Sequence, residues 1–147
     1  MDIQTISSEL KLGQDGIWYT SDNENISYPL DGHEDCFSVE DKSFWFRHRN
    51  NCILTAIKSS HISKKEMIFD IGGGNGFVSL CLENAGFNVV LVEPLASGAY
   101  YAKKRGIKNV ICATISTGKF KRHSVSAVGL FDVIEHIEHD LAFIKSV

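Results

Sequence analysis

The residues best suited to chemistry form a glycine-rich loop at positions 70–76, which contains Asp-Ile-Gly-Gly-Gly-Asn-Gly and follows a short apolar run. Glycines let a backbone adopt positive φ and approach a ligand closely. A helix predicted to begin at Phe77 adds free N–H groups and a positive dipole end. Glu93 ends the next apolar run, near the interval of about 20 residues at which an acid binds ribose hydroxyls in dinucleotide folds. These residues predict a nucleoside-containing cofactor at the carboxyl edge of a parallel sheet.

The spacing of the glycines argues against two other nucleotide sites. A dinucleotide loop has the pattern G-x-G-x-x-G, but the third position is Phe77 when counted from Gly72 and Ser79 when counted from Gly74. The P-loop pattern is absent, because no Gly-Lys-Ser/Thr follows. An acid before the glycines suits a ligand with an ammonium group and no phosphate. A nucleotide-dependent oxidoreductase is therefore the weaker alternative.

Three motifs in order resemble those of the class I S-adenosylmethionine-dependent methyltransferases. The pattern Asp-x-Gly-x-Gly-x-Gly at 70–76 is similar to the first motif of the family, and residues 90–94 are similar to its second motif, whose acid binds both ribose hydroxyls. Residues 126–136 resemble the fourth-strand motif of the small-molecule branch. This resemblance, over residues 43–147, implies S-adenosylmethionine as cofactor and methyl transfer to a small-molecule or metabolite acceptor.

The resemblance also implies roles for individual residues. Cofactor-binding roles fall to seven of them: Asp70, Gly72, Gly74, Gly76, Glu93, Pro94 and Asp132. Methyl transfer requires a base only if the acceptor arrives protonated, and His136 is the candidate, with Glu135 to orient it. In the alternative interpretation, Glu135 and His136 only begin a helix and Asp70 only caps the helix that follows the loop.

The same residues also allow a metal-dependent interpretation. Asp132, Glu135 and His136 are spaced i, i+3, i+4 and would share one helix face. A similar cluster binds a divalent metal in some O-methyltransferases, but there Glu stands in the place of Asp132. Because no further ligand is evident, we expect no metal.

Composition and charge limit the partners. The chain has 147 residues and a net charge of −3, which argues against a dedicated nucleic-acid binder. It contains no stretch of about 18 apolar residues, so we expect no membrane span. Its N-terminus lacks the features of a signal peptide and its four cysteines form no C-x-x-C pair, which together predict a cytoplasmic protein with reduced thiols.

The elements that must position these residues alternate between strand and helix from Met67 onward. This alternation predicts an α/β fold, a Rossmann-like parallel sheet with helices on both faces. The resemblance implies that the strands lie in the order 3-2-1-4. The predicted strands are 67–71, 88–92, 110–112 and 125–131, and the predicted helices are 44–59 with Ser43 as N-cap, 77–85, 96–105 and one from about 137.

The chain divides into a loop-rich N-terminal segment, 1–42, and a partial S-adenosylmethionine-binding methyltransferase domain, 43–147. We expect a short strand pair near Trp18 and Tyr19. These two aromatics and Tyr28 are candidates for a lid or for plain core contacts. The basic residues Arg47, His48 and Arg49 are candidates for the acceptor side of the site, or for the polar face of a helix.

The sheet of this family has seven strands, and only four are evident here. The fourth strand is apolar and would form an edge with unpaired backbone groups. We expect this edge to be covered by the N-terminal segment, by a second copy in a homodimer, or by missing sequence. A non-catalytic cofactor-binding or interaction module is the alternative function.

Overall fold

The computed structural model describes residues 3–22 and 32–147, so that Tyr28 of the predicted lid lies outside the described residues. After a 3-10 turn at Ile3–Thr5, the elements are β1 Lys11–Leu12, β2 Trp18–Tyr19, α1 Gly32–Glu40, α2 Phe44–Ser59, β3 Met67–Ile71, α3 Phe77–Asn84, β4 Asn88–Val92, α4 Ala96–Arg105, β5 Val110–Cys112, β6 Ala127–Gly129, a 3-10 turn Ile134–His136 and α5 Asp140–Ser146. In the described parts of the chain, no helix combines the length and apolarity needed to cross a membrane.

The sheet has six strands in the order β1-β2-β5-β4-β3-β6. The predicted order 3-2-1-4 holds for the four strands from Met67 onward, which lie as β5-β4-β3-β6, but it does not match the whole sheet, which has two further strands. Two N-terminal strands extend the sheet beyond β5, where Trp18 and Tyr19 pair in parallel with Ile111 and Cys112. β1 is antiparallel to β2, so the sheet is mixed rather than parallel throughout. The predicted strand pair near Trp18 is confirmed, and both aromatics belong to the sheet rather than to a lid.

Three predicted elements differ in their bounds from those observed, and of these the helix predicted at 77–85 differs only in ending one residue earlier, at Asn84. The fourth predicted strand, 125–131, is reduced to β6, because only residues 127–129 pair with Ile68, Phe69 and Asp70 of β3. The last helix begins at Asp140 rather than near residue 137, because the 3-10 turn Ile134–His136 precedes it.

The N-terminal segment contains a helix that the sequence prediction missed. α1 spans nine residues, and Glu34 and Asp35 lie in its first turn, where acids complement the positive end of the helix. Its Phe37 ring lies 4.9 Å from the ring of Tyr101 on α4. The prediction of a loop-rich segment is therefore wrong for residues 32–40.

Helices α2, α3 and α4 cover one face of the sheet, where they pack on residues such as Ile68 and Leu91. Alternate strand residues point to the other face. There Phe69 and Val90 pack on Ile3 and on other residues of the N-terminal segment. The second face is covered by that segment, by the 113–128 region and by α5. The sequence had predicted helices on this face as well as on the first.

A cavity of about 940 Å³ lies on this second face. Its walls include Phe69, Phe120 and Phe143, and it reaches Gly72 and Pro94 at the carboxyl edge of the sheet. The cavity therefore connects the apolar face of the sheet with the glycine loop.

Within the described residues, β6 pairs with β3 alone. The N-terminal strands add to the opposite edge of the sheet, beside β5. The prediction that the N-terminal segment covers the edge of the fourth strand is therefore wrong for the described residues, because its strands pair elsewhere. A second copy and further sequence remain predictions.

Candidate functional site

The glycine loop joins β3 to α3. At two of its positions, both the backbone conformation and the lack of space for a Cβ require glycine. Gly72 and Gly76 have φ of +67° and +76°, which side chains rarely adopt. A Cβ on Gly72 would lie 2.7 Å from Cγ2 of Val133, and one on Gly76 would lie 2.8 Å from Cγ1 of Ile107. The first of these contacts brings the turn after β6 against the glycine loop.

We expect Gly76→Ala to lower the free energy of unfolding by about 2–4 kcal/mol, because it adds backbone strain and an overpacked methyl group. Gly106→Ala is the matched control, since Gly106 has φ of +101° but a Cβ there would meet nothing within 4 Å. Urea denaturation of both variants separates the two costs. Equal losses would show that packing against Ile107 contributes nothing.

Glu93 connects the glycine loop to the end of β4. Glu93 is 4% exposed; its Oε2 accepts a hydrogen bond of 2.9 Å from the Gly74 N–H, and its Oε1 accepts one of 2.9 Å from the Leu95 N–H. Burial raises the pKa of Glu93 to about 7, although both backbone hydrogen bonds lower it. Because a carboxylate has about four lone-pair sites, Glu93 retains acceptor capacity for a ligand hydroxyl.

Asp70 lies at the same edge, on β3, and is 1% exposed. Its Oδ2 accepts a 2.6 Å hydrogen bond from Ser79 Oγ, which ties the strand to the first turn of α3. Its buried Oδ1 has no hydrogen-bond partner among the described residues. Burial raises the pKa of Asp70 to about 6, while the Ser79 hydrogen bond and the charge of Arg49 oppose this rise. Asp70 therefore holds the helix and also offers one oxygen to a ligand donor.

These two buried carboxyls make stability depend on pH. Folding raises the pKa of Glu93 from 4.5 to about 7 and that of Asp70 from 3.8 to about 6, so the folded state binds these protons more tightly than the unfolded state. Their contribution is complete below about pH 4 and is lost as the pH rises to about 7, by at most about 3 kcal/mol for each group.

We expect the Glu93 contribution to disappear in Glu93→Gln. From pH 5 to pH 8 the wild type should lose unfolding free energy that Glu93→Gln does not lose, so the stability of the variant relative to the wild type should rise. Guanidinium denaturation at both pH values measures it, with Glu9→Gln at an exposed position as the control. Parallel pH profiles for wild type and Glu93→Gln would contradict the raised pKa.

Asp132 follows β6 and has φ of +57°, a left-handed conformation. Its carboxylate pairs with the guanidinium of Arg49 on α2, which lies 5.3 Å from the ring centroids of Trp45 and Phe46. Of the basic residues predicted for the acceptor side, the structure therefore brings Arg49 to the carboxyl edge. His48 instead stacks on Phe44 along α2, with the ring centroids 5.6 Å apart.

Glu135 and His136 lie in the 3-10 turn, and both are exposed. The left-handed Asp132 and the short turn prevent these three residues from forming one helix face, so that part of the metal hypothesis is wrong. Within residues 3–22 and 32–147, no group of three or more His, Cys, Asp or Glu side chains is arranged to hold a metal ion. The turn still lies at the cleft, because Val133 touches Gly72.

Sequence reasoning missed the contribution of α1 to this site. The side chain of His33 is 7% exposed, and its Nε2 lies 3.9 Å from Oε1 of Glu93. The His33 carbonyl accepts a 2.7 Å hydrogen bond from Asn75 Nδ2 in the glycine loop. The acids that follow Gly32 and His33 are typical of the first turn of a helix, and this pattern could have indicated α1 from the sequence.

Arg105, at the end of α4, fixes α1 against the glycine loop. Its Nε donates a 2.8 Å hydrogen bond to the Asn75 carbonyl, while its two terminal nitrogens bind Asp41 at 2.7 Å and Glu40 at 2.5 Å. Burial raises the pKa of Glu40, and the charge of Arg105 opposes this rise. One side chain thus joins α4, the loop and the end of α1.

Residues 69–147 match the protein family described as "Methyltransferase domain". Two curated relatives are named ubiquinone biosynthesis O-methyltransferase. The one from Rickettsia akari (strain Hartford) is 32% identical over 121 residues, which are 74% of this chain and 47% of the relative. The one from Rickettsia canadensis (strain McKiel) is 38% identical over 91 residues, which are 58% of this chain and 38% of the relative. The chain therefore spans half or less of the length of these relatives.

A solved structure shares the fold. The plantazolicin methyltransferase BpumL, in complex with a monoazolic desmethylPZN analog and SAH, aligns with a TM-score of 0.50 at 16% identity. The alignment covers 80% of this chain and 42% of that protein. The family match, over 69–147, includes the glycine loop, Glu93 and the turn after β6.

Proposed function

This chain belongs to the class I S-adenosylmethionine-dependent methyltransferases, and on that premise we propose that it binds S-adenosylmethionine and transfers the methyl group to a small-molecule or metabolite acceptor. The observation that carries the proposal is the buried Glu93 carboxylate. It is fixed by the backbone N–H groups of Gly74 and Leu95 and keeps lone pairs for the two hydroxyls of a ribose.

The residues around Glu93 fit the rest of this cofactor. A Cβ on Gly74 would meet a single atom within 4 Å, at 3.9 Å, so the loop backbone is open to a ligand there. The buried Oδ1 of Asp70 is available to the ammonium group of the methionine part. Pro94 and Thr114 line the adjoining cavity and are the residues we propose for the adenine ring.

Charge at the cleft suits a cationic cofactor. Asp70 lies near the end of β3, Glu93 and Asp132 follow β4 and β6, and Arg49 is the cation paired with Asp132. Carboxylates stabilise the sulfonium and ammonium charges, while a guanidinium suits the carboxylate of the methionine part. The same edge therefore offers both signs that the zwitterionic tail requires.

When bound, S-adenosylmethionine supplies a methyl group on a sulfonium sulfur, so that one new bond to the acceptor forms as the carbon–sulfur bond breaks and its electron pair stays on sulfur. The protein contributes mainly geometry, because holding the reacting atoms in line removes much of the entropic barrier. Gly72 and Gly74 admit the methionine part close to the backbone, and Val133 against Gly72 closes that end of the cleft.

The names of the relatives support an acceptor oxygen. We propose a hydroxyl acceptor, whose proton His136 removes through its ring while Glu135 orients that ring. Both side chains are exposed in the turn that Val133 anchors to the glycine loop, so an acceptor can reach them. A positioned base of this kind contributes about 10²–10⁴-fold to a rate.

Transfer of a labelled methyl group from S-adenosylmethionine to a panel of hydroxyl-bearing acceptors tests this proposal. We expect His136→Ala to lower kcat by about 10²-fold or more near pH 7 with little change in cofactor affinity. His61→Ala, at an exposed histidine in the loop after α2, is the matched control. Cofactor binding without transfer to any acceptor would overturn the enzyme proposal in favour of a non-catalytic binding module.

We also propose a cytoplasmic location and a second copy of the chain paired along the edge of β6. Support for the location comes from the four cysteines, all of which are free. Support for the homodimer comes from β6, which pairs with β3 alone within the described residues. A monomer in sedimentation equilibrium at micromolar concentration would contradict the homodimer.

A further inference from the structure

We propose that His33 is a second ribose-binding residue, which shares one ribose hydroxyl of the cofactor with Glu93, and that α1 is the element that carries it into the cleft. This inference rests on the proposed function. It assigns a binding role to a helix that lies outside the matched family region, residues 69–147.

The distance between the two side chains is the first argument. Nε2 of His33 lies 3.9 Å from Oε1 of Glu93, which is too long for a direct hydrogen bond. Two atoms that each bind one hydroxyl oxygen at about 2.8 Å, at an angle of about 90–110°, are separated by about 4.0–4.6 Å. The observed pair is therefore close to the separation at which both side chains can hold one hydroxyl.

Close packing holds this pair in place. A Cβ on Gly98 of α4 would lie 2.8 Å from Cε1 of His33 and 2.8 Å from Cγ of Glu93. Glycine at this position is thus what allows the imidazole and the carboxylate to lie together over the start of α4. The ring also lies beside the loop backbone, 3.9 Å from a Cβ built on Gly74.

The backbone of α1 is tied to the loop that binds the cofactor. Asn75 donates to the His33 carbonyl at 2.7 Å, and Arg105 joins the Asn75 carbonyl to Glu40 at the end of α1. Burial lowers the pKa of His33, although a side-chain hydrogen bond with Asn75 opposes this shift, and so favours the neutral imidazole, in which one nitrogen is a donor and the other an acceptor. A neutral imidazole beside a carboxylate is well suited to a hydroxyl, which both donates and accepts.

Calorimetric titration with adenosine, 2′-deoxyadenosine and 3′-deoxyadenosine tests the shared hydroxyl. We expect His33→Ala to weaken adenosine binding by about 3–10-fold, as for one lost hydrogen bond. The variant should leave unchanged the affinity for the deoxynucleoside that lacks the shared hydroxyl. His33→Gln keeps a side-chain amide and should restore part of the adenosine affinity, while His61→Ala should change none of the affinities.

Two results would overturn the inference. Equal weakening of all three nucleosides would show that His33 only packs the site, and unchanged or tighter adenosine binding would show that it makes no contact or obstructs the ribose. Failure of the wild type to bind adenosine and S-adenosylhomocysteine would instead refute the proposed function. If the wild type binds both ligands and His33→Ala binds adenosine with the same affinity as the wild type, only the ribose role of His33 is refuted.

Discussion

Glu93→Gln is expected to weaken the binding of S-adenosylhomocysteine by about 10–100-fold. Hydrogen bonds to a charged acceptor contribute about 1.5–3 kcal/mol, and the substitution replaces an ionised carboxylate by a neutral amide of the same shape. The carboxylate now accepts hydrogen bonds from the Gly74 N–H and the Leu95 N–H. In the variant, the amide NH₂, which cannot accept a hydrogen bond, would face one of these two donors. Isothermal titration calorimetry at pH 8 measures the change where the carboxylate is ionised.

Glu9→Gln is the control for this experiment, because Glu9 is exposed and lies in the N-terminal segment. It should leave the affinity unchanged. An affinity of Glu93→Gln equal to that of the wild type would remove the assignment of Glu93 to the ribose.

Arg105→Met is expected to lower the free energy of unfolding by about 3–5 kcal/mol. The Arg105 side chain is 3% exposed, and its loss leaves the buried carboxylate of Glu40 without its cation. Because burial already raises the pKa of Glu40, the defect should shrink at pH 5, where that carboxyl takes up a proton more readily. The variant also breaks the link between the Asn75 carbonyl and α1.

Chemical denaturation at pH 5 and pH 8, together with hydrogen exchange of residues 32–40, checks this result. Lys104→Met removes an exposed cation from the same helix and should cost much less. Equal losses in the two variants, or a defect that does not depend on pH, would show that the Glu40 pair does not hold α1.

Local signals made the central part of the fold predictable. β4 is a short apolar run buried on both faces, and α4 ends at Gly106, whose φ of +101° suits glycine and stops the helix. Both elements have the predicted bounds, as does β5. Each depends on residues within a few positions of its own, so a single sequence contains the information.

The N-terminal segment depends on contacts with distant residues. β2 is two residues long and exists because it pairs with the edge of β5, more than 90 positions away in the sequence. α1 is anchored by Arg105, so neither periodicity nor propensity in residues 32–40 shows where it binds. His33 was missed for this reason, since its approach to Glu93 follows from that anchoring.

The sequence predicted where the site lies on the sheet, but it predicted only part of the arrangement of the side chains. The end of β4 could be located from its apolar run, which placed Glu93 at the carboxyl edge. The left-handed conformation of Asp132 was not evident, because Asp is only modestly favoured there and the pair with Arg49 depends on α2. The helix expected from about residue 137 begins only at Asp140, after the 3-10 turn Ile134–His136, and the roles of Glu135 and His136 remain predictions.

The proposed function requires this edge to bind S-adenosylmethionine rather than a dinucleotide. Calorimetric titration of the wild-type chain with S-adenosylmethionine, S-adenosylhomocysteine and NAD tests it most directly. We predict saturable binding of the first two at one site per chain and no binding of NAD. Binding of NAD, with neither of the others bound, would contradict the account.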